Sequence, residues 1–167
     1  IFQVRVSPDI IAFCGITILV LALFGETLFS ADRILSSGDT DVFLTFYHQR
    51  HFAATEMRSG NFPHWNPYIY AGSTFSLDSE PALCYPFHVI YLILPTHRAI
   101  NLDIVLHFVL LGFFFYLWAS RQGVSLVPSL TGAVTLMFGG AYYMHFFSGH
   151  LGVLATSAWL PLILYAI

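Results

Sequence analysis

Long apolar runs alternate with short polar breaks along most of this chain, and one polar stretch of unequal length follows the first run. From Ile10 to Phe29 the apolar pattern is interrupted only by Gly15, Thr17, Gly25, Glu26 and Thr27. At about 1.5 Å per residue, that run is long enough to cross a bilayer. It exceeds the h-region of a secretory signal and lacks a basic start and a small-residue cleavage pattern, so it reads as a retained helix. A second run extends from about Ala99 to Ala119, and a third from Pro128, well placed at a helix start, to about Phe147. The fourth begins at Leu151, contains Pro161 and reaches Ile167. The expected fold is all-α and polytopic: three complete spans and a partial fourth, at about 10–30, 99–119, 128–147 and 151–167, with a long loop at about 31–98.

Within that loop the periodicity changes. Asp41 to Ser59 places Phe43, Phe46, Tyr47, Ala53, Ala54 and Met57 on one side at helical spacing, with His48, Gln49, Thr55 and Glu56 opposite. This predicts an amphipathic helix lying on the membrane surface, capped by Asp39 or Asp41 and stopped at Gly60. Asn61 to Pro86, punctuated by proline and glycine, predicts an ordered irregular segment. Phe87 to Leu94 is too short to span and predicts a second surface or re-entrant helix closed by Pro95.

Composition sharpens the class. Of the 167 residues 57% are apolar and only 9% charged, against roughly a quarter charged in ordinary soluble domains. Such a chain cannot supply a solvated surface, so most of it must face lipid or other protein. A net charge of −3 with no basic stripe argues against a nucleic-acid partner. Lysine is absent, leaving guanidinium as the fixed cation, a group suited to carboxylates and phosphates. Cys14 and Cys84 form neither metal-ligand spacing nor a disulfide framework. The chain is expected to be one membrane domain, 1–167, and the front piece of something longer, since it starts at Ile1 and stops within an apolar run.

Because spans alternate direction, the side that receives the long loop also receives the start of the second span and the turn between the third and fourth. That gathers Glu26, Asp39, Asp41, His48, His51, His64, Asp78, Glu80, His97, Asp103, His145 and His150 at one membrane face. Arg5 and Arg121 flank the spans on one side and Arg33 and Arg98 on the other, so charge alone leaves the orientation open. Asp39 and Asp41 form a D-x-D pattern: either a base for an acceptor hydroxyl or metal-phosphate anchor, or helix caps at the positive end of a dipole. Asp103 and His107, four apart, share a helix face, as an acid–imidazole pair, half a metal site, or a polar pair that fixes packing. His145 and His150 flank a short turn, where they approach a phosphate or provide interfacial polarity. Glu26 within an apolar helix is costly unless paired or solvated. Pro63-His64-Trp65-Asn66-Pro67 predicts a defined loop whose aromatic group stacks on a sugar or packs onto the membrane surface.

The order of these elements resembles the YfhO-like bacterial membrane proteins, members of the GT-C superfamily of polytopic glycosyltransferases. The matching residues are Gly38-Asp39-Thr40-Asp41 after a first span, a surface helix, Gly60-Asn61-Phe62-Pro63-His64-Trp65-Asn66-Pro67, Gly72, Tyr85-Pro86, His150, and Ala158-Trp159-Leu160-Pro161. The resemblance implies a bacterial cytoplasmic membrane, an extracytoplasmic loop, and a sugar donor carried on a polyprenyl phosphate. It implies that a loop carboxylate, Asp39 or Asp41, acts as base or binds a divalent metal, with Arg58, Arg98 or His150 as the positive partner of the phosphate, and His64 and Trp65 beside the substrate. GT-C enzymes have more spans than this chain displays, so the 167-residue piece alone is expected to be inactive. The alternative expectation is a non-catalytic subunit of a larger photosynthetic or respiratory membrane complex, binding lipid or pigment.

Overall fold

A computed structural model describes residues 7–76 and 82–167. Asp78 and Glu80, expected on the loop, lie outside the described residues. The first helix, α1 (Pro8–Leu28), begins with Pro at its first position and Ser7 Oγ accepting from the Ile10 amide at 3.3 Å; both satisfy amide positions that a helix start leaves open. Its buried residues Ala12, Ile16, Val20 and Phe24 recur every four positions, while Ile10, Ile11, Phe13, Ile18 and Leu23 stand exposed on the other side.

The longest helix, α4 (Thr96–Arg121), is the centre of the bundle: α1, α5 (Leu126–Phe138) and α7 (Leu151–Ala166) all pack on it. It runs antiparallel to α1. Tyr116 donates its hydroxyl to Asp9 at 3.0 Å at one end, and Asn101 ties down the exit of α1 at the other. Buried Asn101 accepts from the Leu35 amide (2.8 Å) and donates to the Arg33 carbonyl (2.9 Å), so both halves of its amide are satisfied by the strand of loop that leaves α1. His97 Nε2 adds a 2.8 Å bond to the Ala31 carbonyl. These bonds hold the start of the long loop against the start of α4.

Two helices, Pro8–Leu28 and Thr96–Arg121, are long and apolar enough to cross a membrane. The third expected span, 128–147, is not one continuous helix. It divides into α5 and α6 (Gly140–Ser148), with Gly139 between them in an extended conformation. A side chain at Gly139 would lie 2.6 Å from the Thr135 carbonyl oxygen, and two adjacent glycines weaken helix by roughly 1 kcal/mol each. The apolar pattern that predicts a single helix is blind to both effects.

A helix is present over the segment expected to form one. It opens with one π turn, Val42–Phe46, and continues as α2 (Tyr47–Arg58), ending at Ser59 and Gly60, whose φ is +83°. Phe46, Ala53 and Ala54 are buried as the pattern requires, but Phe43 is half exposed and Arg50 occupies the inner face instead. A two-residue hairpin, β1 (Trp65–Asn66) with β2 (Ser73–Thr74), follows in antiparallel register, Trp65 opposite Thr74. Pro86–Val89 forms a 3-10 turn leading into α3 (Ile90–Ile93), which ends before Pro95.

Gly112 marks the tightest approach in the bundle: a side chain there would meet Met137 Sδ at 2.3 Å and Ile16 Cγ2 at 3.1 Å, where α1, α4 and α5 come together. Gly112→Val is therefore expected to destabilise by about 1–3 kcal/mol. Gly15→Val, which meets nothing within 4 Å, is the control that leaves the unfolding midpoint nearly unchanged. Thermal unfolding of both variants in detergent checks the difference.

Candidate functional site

The first two turns of α4 carry a carboxylate inside an apolar helix, and such a group must find partners or cost several kcal/mol. Asp103, 4% exposed, finds them on the loop and on its own helix. Tyr91 of α3 donates its hydroxyl to Oδ2 at 3.0 Å, His88 Nε2 lies 3.6 Å from the same oxygen, and His107 Nδ1 lies 3.1 Å from Oδ1. The N–H of His107 is aimed at the Asp103 carbonyl oxygen, 2.7 Å away, so Oδ1 lies close to that ring without a hydrogen bond from it.

The tautomer of His107 follows from its neighbours. Trp159 Nε1 can only donate, and it donates to the Tyr85 oxygen at 2.8 Å. Tyr85 then spends its own proton on His107 Nε2, 2.6 Å away, which leaves Nδ1 as the protonated nitrogen. The chain Trp159, Tyr85, His107, Asp103 thus joins α7, the loop and α4 through polar bonds of fixed direction. Burial raises the Tyr85 and Tyr91 hydroxyls above the ordinary phenol range, with the Asp103 charge adding to both, so each stays a proton donor.

Arg50 enters this cluster from α2. It is 4% exposed, its Nη1 lies 3.1 Å from His88 Nδ1, and its guanidinium sits over the Tyr91 ring, 5.7 Å from the centroid. Burial lowers its pKa, while Tyr91 and Asp103 raise it. His88 Nδ1 also lies 2.8 Å from the Ala82 carbonyl. A carbonyl needs a proton there and a guanidinium needs a lone pair, so this nitrogen serves one of them at a time. Arg50 Nε is buried without a hydrogen-bond partner among the described residues.

A second polar chain is built at the turn between α6 and α7. The His150 amide bonds to the His145 carbonyl (2.9 Å) and the Gly149 amide to the Phe146 carbonyl (3.0 Å), a Schellman-type turn with Gly149 in the left-handed region at φ +83°. The turn draws the two imidazoles together, Nδ1 to Nδ1, at 2.8 Å. His150 Nε2 meanwhile lies 3.2 Å from Asp41 Oδ2. Facing a carboxylate, Nε2 is the site that holds the proton of neutral His150, so its Nδ1 accepts from His145 and the far nitrogen of His145 is left bare. Gly149 also seats the turn on the loop, since a side chain there would meet the Val42 amide nitrogen at 2.7 Å.

Both chains open onto one cleft of about 770 Å³, with Asp41, His145 and His150 on one wall and Arg50, Tyr85, His88 and Trp159 on the other. It is a base-bearing wall facing a wall with a buried cation. Such a cleft can take a proton from a hydroxyl and bind an anionic group in the same space.

Of the residues singled out in the sequence, Asp41 and His150 meet in this cleft. Asp41 precedes the helix without making a side-chain cap bond, so its side-chain contact is the His150 imidazole and not a cap. Asp39 is exposed and makes no polar side-chain contact among the described residues. Arg58 gives its donors to the carbonyls of Tyr91 (2.7 Å), Leu92 (3.1 Å) and Leu94 (2.6 Å), closing the end of α3. His64 lies 3.3 Å from Ser76 Oγ in the hairpin region, and Trp65 covers Gly72, where a side chain would fall 2.5 Å from its ring. Arg98 is exposed on α4, and Glu26 pairs with Arg33 at the surface. Among the described residues no three His, Cys, Asp or Glu side chains converge as metal ligands. Arg50, His88 and Tyr91 carry no motif, and Tyr85 stands out in the sequence only within Tyr85-Pro86. The available signal was Arg50 at a position where α2 turns its inner face, three residues before Ala53.

No known family, curated protein or solved structure matches this chain.

Asp103→Ala is expected to destabilise by about 3–5 kcal/mol, because it leaves the buried guanidinium of Arg50 without its nearby carboxylate and the Tyr91 hydroxyl without its acceptor. Asp103→Asn, which keeps an acceptor for Tyr91, is expected to lose less. Unfolding in detergent followed by tryptophan fluorescence measures both.

Proposed function

We propose that this chain is a module of a membrane glycosyltransferase of the GT-C, YfhO-like kind, transferring a sugar from a polyprenyl-phosphate donor at the outer face of a bacterial cytoplasmic membrane. The observation that carries the reading is the cleft in which the Asp41–His150–His145 chain faces buried Arg50. In the reaction an acceptor oxygen bonds to the anomeric carbon, the bond from that carbon to the phosphate oxygen breaks, and the acceptor's proton leaves. His145, with its bare nitrogen polarised through His150 by Asp41, takes that proton. Arg50 holds the departing phosphate, a task that needs a positive charge and no proton transfer. Arg58 and Arg98, also considered for the phosphate, are respectively occupied with carbonyls and exposed on α4.

In this reading α5 and α6 cross the membrane as one broken span, α7 is the fourth, and the loop faces outward. Broken helices are tolerated at membrane depth where neighbouring protein satisfies the freed backbone. The exposed apolar outer faces of α1 and α7, including Ile10, Ile18, Leu160 and Ile163, favour a second reading, a non-catalytic subunit packed in a larger membrane complex.

Full-length protein carrying Asp41→Asn or His145→Ala is expected to lose about 10²- to 10⁴-fold in sugar transfer from a synthetic polyprenyl-phosphate donor. Arg58→Ala is expected to leave the chemical step unchanged. Normal transfer by both Asp41→Asn and His145→Ala removes the assignment. No transfer by the wild type, with co-purification in fixed stoichiometry with other subunits, selects the second reading.

A further inference from the structure

The opposite face of α2 borders another cleft, of about 890 Å³, that shares no lining residue with the first. One wall is the outward side of the helix, with His48, Thr55 and Glu56. The other is the tip of the hairpin, Tyr68-Ile69-Tyr70, with Asn66 between the walls. The volume falls within the range of small-molecule sites, roughly 300–1,000 Å³.

The hairpin tip is held in shape rather than trailing in solvent. Buried Asn66 accepts from the Tyr68 amide at 2.9 Å, the Gly72 amide bonds to the Ile69 carbonyl at 2.8 Å, and Phe52 of α2 packs edge-on against Tyr68 and Phe75. Tyr70 and Ala71 both adopt left-handed backbone, φ +52° and +58°, which costs a non-glycine residue about 1–2 kcal/mol. The tip presents two large rings: Tyr68 is 82% and Tyr70 93% exposed. Strain of this kind persists where the surroundings enforce it and clusters at ligand-binding segments.

We infer that this cleft binds a neutral or amino-bearing carbohydrate. A sugar ring offers an apolar C–H face, which a flat phenol ring covers, and hydroxyls at its rim, which imidazole, amide and carboxylate groups receive. Both kinds of partner line the cleft. The fixed charge among the lining residues is the Glu56 carboxylate, which has no side-chain partner among the described residues, and no arginine lines the cleft. Phosphorylated or uronic sugars are therefore disfavoured, and the site differs in charge from the cleft that contains Arg50.

The test is binding of four-residue oligosaccharides to full-length protein in nanodiscs, read by saturation-transfer NMR and calorimetry, with N-acetylglucosamine, glucosamine and galacturonic acid tetramers as probes. The neutral and amino tetramers are expected to bind, and the uronic tetramer at least tenfold more weakly. Tyr68→Ala and Tyr70→Ala, both at exposed positions, are expected to weaken binding at least tenfold without moving the unfolding midpoint. Glu56→Gln is expected to reduce the preference for the amino sugar. Asp41→Asn is expected to bind as the wild type does, so failure of the transfer reading and failure of this one are separable. Absence of binding by all three probes, as expected if the tyrosines rest in lipid headgroups, overturns the proposal. Equal binding by the tyrosine variants, or uronic binding as tight as neutral, also overturns it.

Discussion

A carboxylate in the middle of a bundle sets conditions that apolar packing alone does not. Asp103 is buried on α4, the helix against which α1, α5 and α7 all pack. Isolated there, its charge would cost several kcal/mol, so the fold holds together only if segments 82–91 lie down on α4 and deliver Tyr91 and His88. Those two residues in turn make a place for Arg50, whose charge complements Asp103 and whose helix is thereby fixed relative to the bundle. The loop is a folded layer because an ionic and hydrogen-bonded network beneath it requires particular loop residues at particular places. Replacing a whole buried network with apolar residues of similar volume is often neutral or stabilising, whereas removing one member leaves a buried charge or donor unpaired.

The architecture was legible in the sequence to the extent that it follows from periodicity. Twenty or so apolar residues define α1 and α4, the helical spacing of Phe46, Ala53 and Ala54 defines α2, and Pro95 separates α3 from α4. What periodicity misses is local stereochemistry. The third run reads as continuous because Gly139 and Gly140 count as weakly apolar, yet two glycines are poor helix formers and Gly139 turns extended, where a side chain would strike the Thr135 carbonyl. On α2 the inner face was read with Phe43 in it; the opening π turn rotates the residues before Tyr47, exposing Phe43 and burying Val42.

The cleft was half legible, for a different reason. Asp41 and His150 stand out as polar residues at the predicted membrane face, but their meeting depends on the Gly149 turn resting against Val42 across more than a hundred residues of chain. Asp103 and His107 are visible as a pair at helical spacing, whereas Tyr85, His88 and Tyr91 resemble ordinary interfacial aromatics until the tertiary structure gives each a hydrogen-bond partner. Arg50 is the hardest to find. An arginine on an amphipathic helix belongs by default on the solvated side, and only the buried carboxylate on another helix explains why this one points inward.

The two walls of the cleft differ in how firmly they are held, and that difference bears on how a ligand enters. The wall with Arg50, Tyr85 and His88 is tied to α4 through buried bonds whose loss is expensive. The wall with His145 and His150 stands beyond the break at Gly139 and meets the loop through Asp41 and through Gly149 against Val42, with side-chain exposures of 40% and 49% for His150 and Asp41. A polar contact that open to solvent contributes at most about 1 kcal/mol. A ligand that bonds to either partner can therefore displace the pair at small cost, while the opposite wall keeps its geometry. The cluster around Arg50 is the one whose placement the buried network fixes.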